Sequence, residues 1–411
     1  MSTAIDNAPW PAFTQEEVDA VSRVLASNRV NYWTGQEGRA FEREFADWAG
    51  CSHAIAMANG TVALDVALKG LGIGPGDEVI VTPRTFLASV SCVVNAGARP
   101  VFADVDADSG NLSATTIAAA ITERTRAVIA VHLAGWPCDM DPIMALARKH
   151  DFAVIEDCAQ AHGARYKGRS VGAIGHVGAW SFCQDKIMTT GGEGGMVTTN
   201  DRDLWSRMWS FKDHGKSWDA VYEREHPPGF RWLHESFGTN WRLTEMQSAI
   251  GRIQLTRMEA WTAARERNAH ALTDALQAFA GEDGPIRIPA FRCATCPGCD
   301  ASSGCRHGLY KYYAYVRPEH LAPGWDRDRV VREIVAAGTP CYQGSCSEVY
   351  LEKAFDGTGL RPAQPLATAR RLGETSIMFL VHPTLQSAHL EGARAAIASV
   401  LSQAAAHPPR R

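Results

Sequence analysis

The feature that most constrains this chain is a recurrent alternation of short apolar runs with helix-period segments. Ala54-Ile55-Ala56-Met57-Ala58, Asp77-Glu78-Val79-Ile80-Val81, residues 99–105, 126–131 and Ala153-Val154-Ile155-Glu156-Asp157 read as strands. Residues 62–68, 87–96 and 141–150, between them, read as helices. Strands that are apolar throughout, joined through helices, imply an α/β fold whose mostly parallel sheet is covered on both faces. Such sheets bind ligands at the carboxyl ends of their strands. Asn59-Gly60-Thr61, Phe86, His132, Asp157 and Lys186 all fall at or near such ends. The Asn-Gly-Thr turn offers free amides at a helix N-terminus, which suits an anion such as a phosphate. Taken alone, such a turn also starts helices that bind nothing.

A second constraint is the stretch Gly178–Asp201, GAWSFCQDKIMTTGGEGGMVTTND. It places Lys186 five residues after Ser181 and just before Gly191-Gly192-Glu193-Gly194-Gly195. An amine held in a packed, glycine-lined site can form a Schiff base with an aldehyde. Asp157, at the end of a buried strand, can hold a protonated ring nitrogen, the partner that pyridoxal phosphate needs to act as an electron sink. The competing reading of Lys186 is an ordinary surface lysine.

The flanks organise the rest of the 411 residues. Thr14 and Glu17 form a capping box ahead of Val18, Val21 and Leu25 at helical spacing. Tyr32 and Trp33 stand in a loop before a second amphipathic helix over residues 38–48, either packing there or facing a substrate. Composition shifts after Trp261. Residues 265–279 read as a helix, 309–317 (LYKYYAYVR) as an exposed-face strand, and 330–337 as a helix ended by Gly338. Residues 344–355 read as a loop into a helix, and 391–404 as a terminal helix. Residues 1–260 are thus expected to form the large domain and 261–411 a smaller α+β domain. A net charge of −4 leaves no basic footprint for nucleic acid. Residues 1–11 lack the basic start and apolar run of a signal peptide, and no apolar stretch is long enough to span a bilayer. The expected setting is cytoplasmic.

Several of these runs together resemble the DegT/DnrJ/EryC1/StrS aminotransferases. They are Asn59-Gly60-Thr61, Thr85-Phe86, Glu156-Asp157-Cys158-Ala159-Gln160, Ser181-Phe182 with Lys186, and Thr190–Gly195. Residues 237–247 (FGTNWRLTEMQ) and Leu380-Val381-His382-Pro383-Thr384 are similar too. The resemblance implies the aspartate-aminotransferase (type I) fold, pyridoxal phosphate, and a homodimer with shared active sites. It implies an amino group moved from L-glutamate or L-glutamine to the ketone of a nucleotide-linked sugar, or to a cyclitol ketone. By the same resemblance Lys186 carries the cofactor and shuttles the proton, and Asp157 pairs with the pyridine nitrogen. Phe86 and Gln160 sandwich the ring. Gly60, Thr61 and Ser181 hold the phosphate, with Asn240 or Arg242 reaching in from the partner subunit. His382 helps to bind substrate or makes a structural hydrogen bond, and His162 reads as a core or supporting histidine. One branch of the family has histidine where Lys186 stands and removes a hydroxyl instead, so Lys186 argues for amination.

Four of the eleven cysteines cluster, Cys293, Cys296, Cys299 and Cys305, with His307 nearby. Their spacing suits a structural zinc, with free thiols in a flexible insertion as the alternative. The remaining cysteines are scattered singly and read as small buried apolar residues of a cytosolic chain. Two other classes compete. A nicotinamide dehydrogenase would need G-x-G-x-x-G after the first strand, and none is there. A non-catalytic pyridoxal phosphate-binding regulator would tolerate loss of Lys186.

Overall fold

The computed structural model describes residues 8–291 and 304–407. Thr14 caps α1 (Gln15–Ala26) through the expected box with Glu17. Helix α2 (Glu37–Ala49) follows, stopped by Gly50 in the left-handed conformation. Then come β1 (His53–Met57), α3 (Gly60–Gly70), β2 (Glu78–Val81), α4 (Ala88–Asn95), β3 (Arg99–Phe102), α5 (Ala114–Ala118) and β4 (Thr125–Val131). After α6 (Met140–His150) and β5 (Ala153–Asp157), a small hairpin of β6 (Arg165–Tyr166) and β7 (Arg169–Ser170) leads to β8 (Val177–Ser181) and β9 (Gly195–Thr199).

Among the described residues these strands form a seven-stranded sheet in the order β1-β9-β8-β5-β4-β2-β3. It is parallel except at β9, which runs antiparallel to both its neighbours. Both faces are covered: Ile55, Val79, Ile129, Ile155 and Val197 pack on one side, and Ile80, Val128, Ala130 and Val154 on the other. This two-sided burial is why the strands read as unbroken apolar runs.

Helix α7 (Arg202–Lys212) returns the chain to the sheet, followed by α8 (Glu245–Thr256) and the long α9 (Met258–Gln277). A second sheet is built from β10 (Ile286–Arg287), β11 (Tyr312–Val316), β12 (Cys341–Tyr342) and β13 (Ser376–Phe379), in the order β10-β11-β13-β12 and antiparallel throughout. Helices α10 (Arg327–Ala336), α11 (Ala367–Thr375) and α12 (Ser387–Ala404) accompany it. Its core joins Leu272, Leu276, Ala314, Ile334, Ile377 and Ile397.

Two expectations are corrected here. The Tyr-rich run around β11 is not an exposed-face strand: Tyr312, Ala314, Tyr315 and Val316 are buried. It lies inside the sheet, with helices against one face and Arg84, from the loop after β2, against Tyr313 and Tyr315 on the other. Residues 344–355 do not enter an α-helix but make two 3-10 turns, Val349–Leu351 and Lys353–Phe355. There Val349 N donates to Pro83 O and ties the turn to the loop after β2.

Candidate active site

Strand β5 ends in two adjacent buried carboxylates whose surroundings set them apart. Glu156 accepts backbone N–H bonds from Gly172, Ile174 and Gly175. It also meets His132 Nε2 at 3.0 Å. The Nδ1 of that ring accepts from Cys138 N, so Nε2 carries the proton and donates. Burial opposes ionisation of Glu156, but the His132 bond and the amides outweigh it and hold its pKa below the usual carboxylate range. Glu156 is therefore spent on structure.

Asp157 is less well provided for. Its Oδ2 accepts from Ser89 Oγ at 2.7 Å and its Oδ1 from Ala159 N at 3.1 Å. Burial raises its pKa, and these hydrogen bonds offset only part of the effect. Such a carboxylate is completed by a cation, and a protonated pyridine nitrogen supplies one. Ser89 is in turn 2.8 Å from Thr85 Oγ1, next to Phe86. Phe86 is 72% exposed, so most of its aromatic surface is open.

Strand β8 ends at Ser181, against the N-terminus of α3. Asn59 caps that helix, its side chain accepting from Val62 N. A Cβ on Gly60 would lie 2.6 Å from Ser181 Cβ, and one on Gly195 would lie 2.5 Å from the Asn59 carbonyl oxygen. Only glycine allows the start of α3 to approach Ser181 this closely. Unpaired helix-start amides beside a hydroxyl form a phosphate cradle.

Lys186 follows in the loop after β8. Its backbone carbonyl is held by Trp10 Nε1 at 3.0 Å. Its Nζ lies 3.2 Å from Asp185 Oδ1 and 5.2 Å from the centre of the Tyr310 ring, and its side chain is 18% exposed. Tyr310 also donates its hydroxyl hydrogen bond to Asp185. The amine is thus paired with Asp185 and flanked by the Tyr310 ring. Lysine, buried acid and phosphate cradle each stand at or just beyond the carboxyl end of a central strand or at a helix start beside one. This donor set fits pyridoxal phosphate, with an amine for the aldehyde, an acid for the ring nitrogen, and amides with a hydroxyl for the phosphate.

The other residues singled out from sequence divide. Gln160 Oε1 accepts from Ala134 N at 2.8 Å, so the carboxamide braces the loop after β4. Tyr32 packs inside the protein. It is buried, its hydroxyl bonds Glu42 and Trp209, and Lys212 Nζ sits 4.0 Å from its ring centre. Trp33 packs edge-on to Trp209, with Lys216 Nζ 4.0 Å from its ring centre. His382 is buried, bonds Thr384 Oγ1 at 2.8 Å and stacks on Trp10, so its surroundings are those of a structural histidine. His162 is buried between Trp180 and Phe182 with both ring nitrogens unpartnered, and burial lowers its pKa to about 3. Arg242 pairs with buried Asp213 at 2.6 Å, and exposed Asn240 bridges the same residue's backbone.

Cys293, Cys296 and Cys299 lie outside the described residues; Cys305 is buried and its sulfur accepts from Lys167 N. Among the described residues, His132, Glu156 and Cys158 are the one metal-like grouping, and there the imidazole and carboxylate are already engaged with each other. Ser89, Asp185 and Tyr310 escaped the sequence reading. Ser89 had a signal, one helical turn after Thr85; the Tyr310–Asp185 contact joins residues 125 apart in the chain and had none.

A mostly parallel sheet carrying this constellation at its carboxyl edge defines a fold type I, pyridoxal phosphate-dependent enzyme. The chain belongs to the DegT/DnrJ/EryC1/StrS aminotransferase family, whose model matches residues 11–390. A solved aminotransferase from Psychrobacter cryohalolentis is 62% identical and superposes with a TM-score of 0.92, over 96% of this chain and 98% of that one. GDP-perosamine synthase of Caulobacter vibrioides is 47% identical over 57% of this chain, and the match spans 61% of that relative. The UDP-N-acetyl-3-dehydro-alpha-D-glucosamine 3-aminotransferase of Acidithiobacillus ferrooxidans is 45% identical over 64% of this chain and 67% of its own length.

Proposed function

We propose that this chain is an aminotransferase that moves an amino group from L-glutamate or L-glutamine to the ketone of a nucleotide-linked sugar. The observation that carries the proposal is the contrast on β5. Glu156 is saturated with donors, whereas Asp157 is buried, short of donors and in line for a cation. Pyridoxal phosphate, when bound, supplies an electron sink for the charge that develops at the carbon bearing the amine. Asp157 holds the proton on the pyridine nitrogen, and Ser89 fixes the orientation of its carboxylate. Gly60, Thr61 and Ser181 bind the phosphate. Phe86 offers its open face to the ring, and Gln160 keeps the opposing loop in place. Lys186 Nζ would hold the cofactor through its aldehyde and, once the donor's amino group has displaced it there, the freed amine would take the proton from the donor's α-carbon, with Asp185 and Tyr310 beside it. Relatives named for GDP- and UDP-linked sugars support the acceptor class.

A homodimer completes the site in this reading. Phe230, Trp232 and Phe237 are 78%, 80% and 98% exposed, in the segment that leads to Asn240 and Arg242. Apolar side chains this exposed favour a covering surface, and a second copy is the one that would also deliver a phosphate ligand across the interface. Buried free thiols at Cys51, Cys92, Cys138, Cys158 and Cys341 support a reducing, cytoplasmic setting. No helix among the described residues is long and apolar enough to cross a membrane.

The test is transfer itself, read as 2-oxoglutarate formed from L-glutamate by the cofactor-loaded protein. Keto-sugars linked to UDP, GDP or dTDP are compared with a cyclitol ketone as acceptor. Turnover with a nucleotide-linked ketone supports the proposal. Turnover with the cyclitol alone moves the acceptor class, and turnover with neither sinks the reading.

A further inference from the structure

Arg84 stands out among the described residues. It is fully buried, and all three of its guanidinium nitrogens lack a hydrogen-bond partner. Arg265, also buried, donates to the carbonyls of Leu309 and Tyr310. Buried Lys212 at least has Glu42 at 3.7 Å. What Arg84 has instead is the rings of Tyr313 and Tyr315, with centres 5.4 and 5.7 Å away. Cation–π contacts in a dry interior offset part of the cost of burying the charge, but they leave the N–H donors in the guanidinium plane unmet. A charge taken out of water with no counter-charge is among the costliest features a fold can keep.

Its location gives a reason for keeping it. Arg84 lies two residues before Phe86 and one before Thr85, whose hydroxyl leads through Ser89 to Asp157. The opposite wall is β11, where Tyr313 lies three residues beyond Tyr310, the aromatic partner of Lys186. The loop after β12 closes the seam, with Ser345 N donating to the Tyr313 hydroxyl and Val349 N to Pro83 O. The guanidinium therefore sits where the two domains meet, and both walls lead to the candidate cofactor site.

We infer that Arg84 is a substrate-binding residue that takes a carboxylate when this seam opens, an inference that rests on the aminotransferase reading above. The planar guanidinium fork matches a carboxylate bidentately. A phosphate would need more donors, and the proposed cofactor phosphate site lies instead at the start of α3 beside Ser181. The carboxylate has two sources in this chemistry, the amino-acid donor or a carboxylated keto-sugar. Recognition is the same for both.

The experiment uses full-length, cofactor-loaded protein and the variants R84M and R84K. R84M keeps the volume and removes the charge, and R84K keeps the charge without the fork. Dissociation constants are measured by calorimetry for L-glutamate, for UDP-glucuronate and for UDP-glucose, and melting temperatures are taken without ligand. The inference expects R84M to melt at or above the wild-type temperature, because an unpaired buried charge has gone. It also expects R84M to bind one carboxylate probe about 10- to 100-fold more weakly, with UDP-glucose unchanged and R84K intermediate. Weakening for L-glutamate alone assigns the donor, and weakening for UDP-glucuronate alone assigns the acceptor. Unchanged binding of both carboxylates, or an equal loss for UDP-glucose, overturns the inference. So does R84M melting well below the wild type, because the arginine would then be structural. If the wild type itself took no cofactor, the aminotransferase reading would fail on its own, before any variant was compared.

Discussion

Gly60→Ala tests the phosphate cradle at its tightest point. The added Cβ would lie 2.6 Å from Ser181 Cβ, 3.0 Å from Ser181 Oγ and 3.1 Å from Ser181 Cα. Carbon atoms in contact sit about 3.5–4.0 Å apart, so the start of α3 and the end of β8 must separate by roughly 1 Å. Two terms oppose each other in the free protein. Overpacking of this kind costs about 1–3 kcal/mol, and replacing a helical glycine by alanine returns about 0.5–1 kcal/mol. The net expectation without cofactor is a loss of up to about 2 kcal/mol in urea unfolding. Cofactor binding should suffer more, because the separation pulls amides and hydroxyl off one charged group. Losing one such hydrogen bond is worth about 1.5–3 kcal/mol, or about 10- to 150-fold in affinity. Spectroscopic titration of the apoprotein with pyridoxal phosphate measures this directly. Gly281→Ala, at an ordinary backbone position with nothing within 4 Å, is the control and should change neither quantity. Wild-type cofactor affinity in Gly60→Ala would refute the cradle.

Three further outcomes are expected. Ser89→Ala removes one donor from Asp157, whose pKa burial already raises; the carboxylate then stays protonated to higher pH, and the acid limb of the L-glutamate half-reaction should move upward. An unmoved limb would mean that Ser89 does not hold the acid. The His162 imidazole, with its folded pKa lowered to about 3, binds fewer protons folded than unfolded between pH 3 and 6.5, so stability falls as pH drops through that window. Between pH 7 and 5 this amounts to about 2 kcal/mol, and His162→Leu should remove about that much of the change in urea-unfolding free energy over this pH range relative to wild type. Trp232→Glu with Phe237→Glu should shift light-scattering mass toward the monomer and weaken cofactor binding; an unchanged dimer would place the interface elsewhere.

How much of this was legible in the sequence depended on how local the physics was. Strands such as β4 and β5 are buried on both faces, so nearly every residue had to be apolar and the run announced itself. The Thr14 cap and the Gly60 turn were readable because each is satisfied within a few residues. Strand β11 was misread because tyrosines tolerate either surface, and what covers them, Arg84 on one face and the helices on the other, lies far off in the chain. Tyr32 was ambiguous for a similar reason. An aromatic in a loop takes its role from Trp209 and Lys212, which only the fold brings to it. The sequence put two carboxylates at the end of β5 and paired Asp157 with the ring nitrogen by resemblance. The distant amides of Gly172, Ile174 and Gly175 supply a physical reason to propose Asp157 for that role and not Glu156.

The most direct test of the central claim is the visible spectrum of the purified protein with pyridoxal phosphate, before and after L-glutamate, beside that of Lys186→Ala. The account expects a yellow band in the wild type that bleaches with the amino donor. In Lys186→Ala that lysine-dependent band should be missing. A wild type that stays colourless with added cofactor, or a band unchanged by the loss of Lys186, would contradict it.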